Sequence, residues 1–187
     1  VGIVLGDGGI TQNQLKVTLN KETEADYIEF VRELLHKVMG KGPARYYVGG
    51  AKGKGCNVCI SGVGLIEILK EIGLGVGSKV KRQAAVPNWI CRKDFCQACL
   101  RGLVDTDGCV YSHTHTSHGV KCLNIGLCFS NRSRPLLNFV FKTLKKLGFN
   151  PKTGRDEVRL YRENEVVKYM EVVGTHNLHH RQRWLSY

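Results

Sequence analysis

Leu100-Arg101-Gly102-Leu103-Val104-Asp105-Thr106-Asp107-Gly108 has a shortened counterpart at the start of the chain, Gly2-Ile3-Val4-Leu5-Gly6-Asp7-Gly8. Aligned on Thr-Asp-Gly and Gly-Asp-Gly, the two stretches put Asp7 and Asp107 at the same position, 100 residues apart. The 187 residues therefore read as an internal duplication. Small residues fall four apart in both copies, at Gly2 and Gly6 and at Ala98, Gly102 and Thr106, which sets them along one helix face. Glycine inside a helix costs about 1 kcal/mol relative to alanine, so such a row implies two helices packed nearly backbone to backbone.

The same order of patterns follows each Asp. Leu15, Val17 and Leu19 alternate with Gln14, Lys16 and Thr18, the mark of a strand with one buried and one wet face. Leu123, Ile125, Leu127 and Phe129 repeat it. Ile28, Val31, Leu35 and Val38 predict a helix over 23–39, and Leu137, Val140, Phe141 and Leu144 predict its copy. Gly40 and Gly148 stand where such helices stop. Further strands are predicted at Arg45 to Val48, Cys56 to Ile60 and Glu157 to Tyr161, with Gly49, Gly50, Gly53 and Gly55 turning between the first two. Short helices at Leu65 to Ile72 and Val166 to Val173 close the halves. The order helix, strands, helix, strands, helix thus occurs twice. It divides the chain into a first repeat over 1–85, a linker over 86–94 around Pro87-Asn88, and a second repeat over 95–187.

Composition narrows the partners. Hydrophobic residues make up 42% of the chain, which excludes a disordered polymer. Lys and Arg number 28 against 16 Asp and Glu, a formal net charge of +12, and this balance points to a polyanion, nucleic acid first. No stretch of about 18 apolar residues is present, so no membrane span is expected. The apolar opening lacks the basic start of a signal peptide. An intracellular, cytoplasmic location is the expectation, with the eight Cys as reduced thiols rather than a disulfide framework.

If the duplicated helices pack in parallel across a pseudo-twofold axis, Asp7 and Asp107 meet at the same end. That end is the helix C-terminus, where the macrodipole disfavours an anion, and two close carboxylates repel each other as well. A divalent cation resolves both conflicts. Oxygen ligands suit Mg²⁺, which keeps waters and bridges to phosphate oxygens, and such an ion activates water. A lone Asp-Gly more often only starts a turn, but two at matched positions in a basic, duplicated chain favour the metal.

These stretches match the LAGLIDADG motif, and the chain resembles a monomeric, two-repeat LAGLIDADG homing endonuclease. The second copy departs from the nine-letter pattern only at Arg101, Val104 and Thr106, and the first begins inside the motif. The resemblance implies an α/β (α+β) fold of two pseudo-symmetric repeats, each αββαββα, with two antiparallel sheets forming a DNA-binding saddle. It implies Asp7 and Asp107 as catalytic metal ligands, with Gly6 and Thr106 beside them, and Mg²⁺ or Mn²⁺ as cofactor with Ca²⁺ as a non-cleaving substitute. Asp105 stands opposite Leu5 and is expected to have no catalytic role.

Asn20 and Asn131, at the ends of the long strands, are the expected water-orienting pair, although matching Leu19 to Phe129 sets Asn20 against Ser130 instead. Lys81 and His179, after the closing helices, are the expected basic residues, with His180 or Arg181 as substitutes for His179. The implied activity is Mg²⁺-dependent hydrolysis of one phosphodiester on each strand of a long, pseudo-palindromic or asymmetric double-stranded DNA target, by an intron-encoded or free-standing monomer. The alternative is a nuclease-inactive binding protein on the same scaffold, an intron-RNA splicing maturase or a DNA-binding regulator. Retention of both Asp argues against it, since close carboxylates near phosphate do not help a binder.

Strand alternation nominates the DNA contacts. Gln12, Gln14, Lys16, Thr18, Arg45, Tyr47 and Asn57 are expected in the groove from the first repeat, and His113, His115, Asn124, Arg159 and Tyr161 from the second. Gln, Asn and Arg suit base edges, whereas Lys mostly meets phosphate. Two other metal readings compete. Cys56 and Cys59 with Cys96 and Cys99 form a four-Cys pattern, but 37 positions between the inner pair exceed the usual ribbon spacing. The tract Ser112-His113-Thr114-His115-Thr116-Ser117-His118 reads either as a metal-binding loop or as a hairpin lying in the groove.

Overall fold

The computed structural model describes residues 1–48, 53–92, 94–117 and 119–187, with only the backbone of 46–48, 115 and 117. The first repeat runs α1 (Gly2–Leu5), β1 (Gly8–Ile10), β2 (Gln14–Asn20), α2 (Ala25–Met39), β3 (Ala44–Val48), β4 (Gly55–Ser61) and α3 (Val63–Glu71). After α4 (Asn88–Arg92), the second runs α5 (Cys96–Asp107), β5 (Gly108–Ser117), β6 (Val120–Ser130), α6 (Arg134–Lys146), β7 (Lys152–Thr153), β8 (Glu157–Leu160) and α7 (Glu163–Val172), followed by α8 (Leu178–Leu185). Each repeat builds a four-stranded antiparallel sheet, ordered β1-β2-β4-β3 and β5-β6-β8-β7. The αββαββα order expected of each repeat is therefore present in both.

Alternation sorts the sheets into two faces. Leu15, Val17 and Leu19 are buried while Lys16 and Thr18 face solvent. In β6, Ile125, Leu127 and Phe129 are buried, but Leu123 is 56% exposed. The reason is reach: β8 pairs only with Leu127 to Ser130, so the outer end of β6 has β5 alone beside it. In α2 the buried stripe is Tyr27, Ile28, Val31 and Leu35, and Val38 is 66% exposed. Met39, one turn beyond Leu35, packs against the core in its place. Gly40 (φ +63°) ends α2, and Gly148 (φ +78°) follows α6, both in the left-handed region that favours glycine.

The small-residue row does what its spacing requires. A Cβ placed on Gly102 would lie 2.9 Å from the backbone N of Ile3 and 3.3 Å from the carbonyl carbon of Gly2, so α1 and α5 touch through their backbones. Leu100, Leu103 and Val104 of α5 are buried with Val4 and Leu5 of α1 in one continuous core.

The segment between the repeats is structured: α4 is anchored by a hydrogen bond of 2.8 Å from Trp89 Nε1 to Ile72 O, and Ile90 is buried. Cys91 and Cys96 form a disulfide across the α4–α5 turn, which corrects the expectation of eight reduced thiols; Cys56, Cys59, Cys99, Cys109, Cys122 and Cys128 are free. The four-Cys zinc pattern does not assemble. Cys96 is bonded elsewhere, and Cys56 and Cys59 are buried neighbours in β4. Burial pushes the thiols of Cys56 and Cys59 up and that of Cys99 to about 11, whereas zinc binds thiolate. Among the described residues no group of three or more His, Cys, Asp or Glu is placed to hold a metal, and no helix is long and apolar enough to cross a membrane. Gly49, Gly50 and His118 lie outside the described residues.

Candidate active site

Asp7 follows α1 and Asp107 is the last residue of α5, so the packing of the two helices brings both carboxylates to one end of the interface. A Cβ on Gly6 would lie 3.5 Å from Asp107 Oδ2 and would strike Thr106 Oγ1. Thr106 itself donates to Gly102 O at 2.9 Å and Leu103 O at 3.0 Å within its own helix. Its hydroxyl is therefore satisfied within α5.

Two carboxylates in this confined place titrate abnormally. Burial raises Asp7 to about 7, with the charges of Asp107 and Glu24 adding and that of Lys79 opposing. Burial also raises Asp107, opposed by a hydrogen bond from Asn131 and by Lys79. Asn131 Nδ2 donates to Asp107 Oδ2 at 2.7 Å, while Asn131 Oδ1 accepts from the Ser133 N–H at 2.7 Å. Asn20 makes the same turn, its Oδ1 accepting from the Glu22 N–H at 3.0 Å. In the sheet ladders, however, Asn20 opposite Gly55 corresponds to Ser130 opposite Glu157, and Asn131 stands one residue further on, its N–H bonded to Asp156 O as that of Lys21 is to Lys54 O. Asn20 makes no hydrogen bond to the Asp7 side chain among the described residues.

The basic residue at this site is Lys79, which sequence reasoning missed. Lys79 Nζ donates to the carbonyl of Gly6, and its amine is pulled down by burial and pushed back by Asp107 and Asp7. Lys81 is exposed, and only its N–H is engaged, to Ser78 Oγ at 3.3 Å. Two lysines two apart are indistinguishable by spacing; the path of the 77–84 segment, held by Gly77 N–H to Ile10 O at 2.9 Å, selects between them. His179 is half-buried in the first turn of α8, its N–H on Asn177 Oδ1 at 3.1 Å. His180, one residue on, is buried; burial lowers its pKa, and Asp105 and Glu24 oppose that shift. Asp105, 1% exposed, accepts from Thr175 Oγ1 at 2.5 Å and the His176 N–H at 3.1 Å. It anchors the α7–α8 connection to the motif helix.

On the outer face of the first sheet, Gln14 Nε2 donates to Ser61 Oγ at 3.2 Å and Thr18 Oγ1 to Asn57 Oδ1 at 2.6 Å, with Lys16 exposed between them. Gln12 sits in the exposed β1–β2 turn. Arg45 does not join this face: it is in register with Val58, which is buried, and pairs with Glu29 of α2. The backbone of Tyr47 is in register with Cys56. Tyr46 holds the register of Asn57. The face of Arg45 is set by the register of β3 against β4, which a slip of one residue would invert, and the sequence of β3 alone does not give that register.

In the second sheet, His113 is in register with Asn124 and Arg159 with Cys128, both on the outer side of the buried Ile125, Leu127 and Phe129, and the backbone of His115 is in register with Cys122. Arg159 is fixed at both ends, Nη1 to Tyr161 Oη at 2.7 Å and Nη2 to Glu157 Oε2 at 2.5 Å. Asn124 Nδ2 donates to Tyr161 O at 3.3 Å.

The donor set fits a hard divalent cation. Mg²⁺ takes one or two carboxylates and completes its shell with water and substrate phosphate. Asp7 and Asp107 supply two half-buried carboxylates, both raised in pKa chiefly by burial, which disfavours their charged form unless a cation compensates it. These two residues would hold the ion.

Residues 94–181 match the model of the LAGLIDADG-like domain. Among solved structures, I-AabMI, a LAGLIDADG meganuclease bound to uncleaved DNA, aligns with a TM-score of 0.63 at 12% identity over 99% of this chain and 87% of its own. I-SmaMI bound to an uncleaved DNA target in the presence of calcium ions aligns at 0.64 with 10% identity, covering 99% and 87%. I-SmaMI bound to cleaved DNA aligns at 0.63 with 11% identity, covering 99% and 86%. No curated protein matches the sequence. Residues 94–181 are thus similar to a LAGLIDADG-like domain, and the whole chain has the fold seen in the two-repeat LAGLIDADG meganucleases.

Proposed function

We propose that this chain is a site-specific, metal-dependent DNA endonuclease that works as a monomer on a long double-stranded target. One observation supports the reading: Asp7 and Asp107, each from its own repeat, lie half-buried at the same end of the packed motif helices, with Lys79 on the Gly6 carbonyl beside them. Burying two like charges together is costly, and a protein that only binds a polyanion has no reason to keep them. The similarity to meganucleases solved on uncleaved and cleaved DNA supports the same reading.

Mg²⁺ or Mn²⁺, when bound by Asp7 and Asp107, supplies activation of the attacking water and neutralises charge at the leaving oxygen. Asn131 holds Asp107 in one orientation. Lys79, its amine made easier to deprotonate by burial, is placed to exchange a proton with the phosphate oxygens or to stabilise their charge. Gln14, Lys16, Thr18 and Asn57 on one sheet and His113, Asn124, Arg159 and Tyr161 on the other form the DNA-facing surface. Fixed Arg159 is suited to a guanine edge and Lys16 to phosphate.

The test is selection of cleaved sequences from a randomised duplex library with Mg²⁺, with Ca²⁺ as the binding-only condition. Asp7→Asn and Asp107→Asn each remove cleavage and keep binding; full activity in either variant overturns its role as a ligand. Tight binding with no scission in Mg²⁺ or Mn²⁺ overturns the nuclease reading in favour of a binding protein.

A further inference from the structure

Each repeat grips the tail of the other through the residue that precedes its long helix. Ser133, before α6, donates from Oγ to Ala84 O at 2.6 Å, and Ala84 belongs to the tail of the first repeat. Glu24, before α2, accepts at Oε1 from Nδ2 of Asn177 at 2.8 Å, and Asn177 belongs to the tail of the second. The two clasps are pseudo-symmetric, yet only one carries a charge. Glu24 is also in the field that acts on Asp7.

The charged clasp closes a path between the two site carboxylates. Asp7 O accepts from the Thr18 N–H at 3.2 Å, which ties Asp7 to β2. Two residues on, the Asn20 N–H donates to Glu24 Oε2 at 2.8 Å. Asn177, 1% exposed, donates from Nδ2 to Glu24 and also to Asp105 O at 2.9 Å, and its Oδ1 accepts from the His179 N–H at 3.1 Å, so its hydrogen-bonding groups are all engaged. Asp105 precedes Asp107 by two residues on α5. Half-buried Glu24 lines a small polar pocket together with buried Tyr27 and Asn177. Hydrogen bonds to a carboxylate are stronger and more directional than those between neutral groups.

We propose that Glu24 is a positioning residue that sets the placement of Asp7 relative to Asp107, acting through Asn177 and the carbonyl of Asp105. The inference rests on the reading of Asp7 and Asp107 as a shared metal site. Glu24 itself touches neither the metal nor the phosphate; it fixes the end of β2 in the first repeat against the end of the motif helix in the second.

The test is Mn²⁺ titration followed by electron paramagnetic resonance on the full chain bound to duplex DNA, together with duplex affinity in EDTA and the scission rate of each strand. Glu24→Gln turns one acceptor into a donor that faces a donor. Mn²⁺ affinity falls about 10- to 100-fold, the range for partners that orient a metal ligand, while duplex affinity in EDTA is unchanged. Asn177→Ala gives the same loss, and the double variant is no worse than either single one, because all three break one path. If Asn177→Ala fails to fold, Glu24→Asp, which keeps the charge and shortens the reach, replaces it. Wild-type Mn²⁺ affinity in Glu24→Gln, or additive losses in the double variant, overturns the proposal. A wild-type chain that binds Mn²⁺ and DNA but cuts neither strand overturns the nuclease reading and leaves the titration to decide the role of Glu24. A wild-type chain that binds no Mn²⁺ overturns both.

Discussion

Asn131 donates to Asp107 across 2.7 Å while its own carbonyl oxygen is held by the Ser133 N–H, and Asp7 receives no such side-chain bond among the described residues. Asp107 is thus oriented by a donor that cannot rotate away. Asn131→Ala should slow scission by about 10- to 100-fold, whereas Asn20→Ala, which opens only a turn, should cost far less. Single-turnover rates on the same duplex compare the two.

The metal-free protein should lose stability as pH rises. Asp7 has a folded-state pKa of about 7 against 3.8, so between these values the native state holds a proton that the unfolded chain has released. The stabilisation is full below pH about 4 and is lost as pH climbs through about 7. The loss amounts to at most about 4 kcal/mol, and less where solvent screens the carboxylate. Urea denaturation in EDTA at pH 5 and pH 8 measures the difference, and Asp7→Asn should flatten it.

Lys79 and Lys81 should separate cleanly. Removing the half-buried amine by Lys79→Ala should lower the cleavage rate by about 100-fold or more, with little change in duplex affinity. Lys81→Ala, at an exposed position, should stay within about twofold of wild type. Equal effects of the two substitutions would contradict the placement of Lys79.

The contact between motif helices should tolerate no added methyl group. Gly102→Ala puts a Cβ 2.9 Å from the backbone N of Ile3, an atom that cannot move aside without shifting α1. A destabilisation of about 1–3 kcal/mol is expected, seen as a lower denaturant midpoint. The same displacement would part Asp7 from Asp107, so cleavage should fall with it.

Much of this arrangement is legible in the chain because it is local or repeated. Leu15, Val17 and Leu19 declare their buried face through a period of two. The paired Asp-Gly steps and the four-residue spacing of small residues declare the helix contact. Elements without a period stay silent: β1 is three residues and β7 only two. Alternation also cannot say where a strand's neighbour ends, so Leu123 looks like a core residue and is exposed. Nor can it choose the face of Arg45, which turns on the register of β3 against β4.

Residue order was enough for the duplication, the two sheets with their inner faces, and the two candidate carboxylates, since each is encoded in residues a few positions apart and encoded twice. Tertiary structure alone decided that Lys79 rather than Lys81 stands at those carboxylates, that Asn131 holds one of them, and that Glu24 meets Asn177 across 153 positions. Such pairings depend on where the backbone passes after folding, and charge and burial act through distance in space, which no spacing along the chain records.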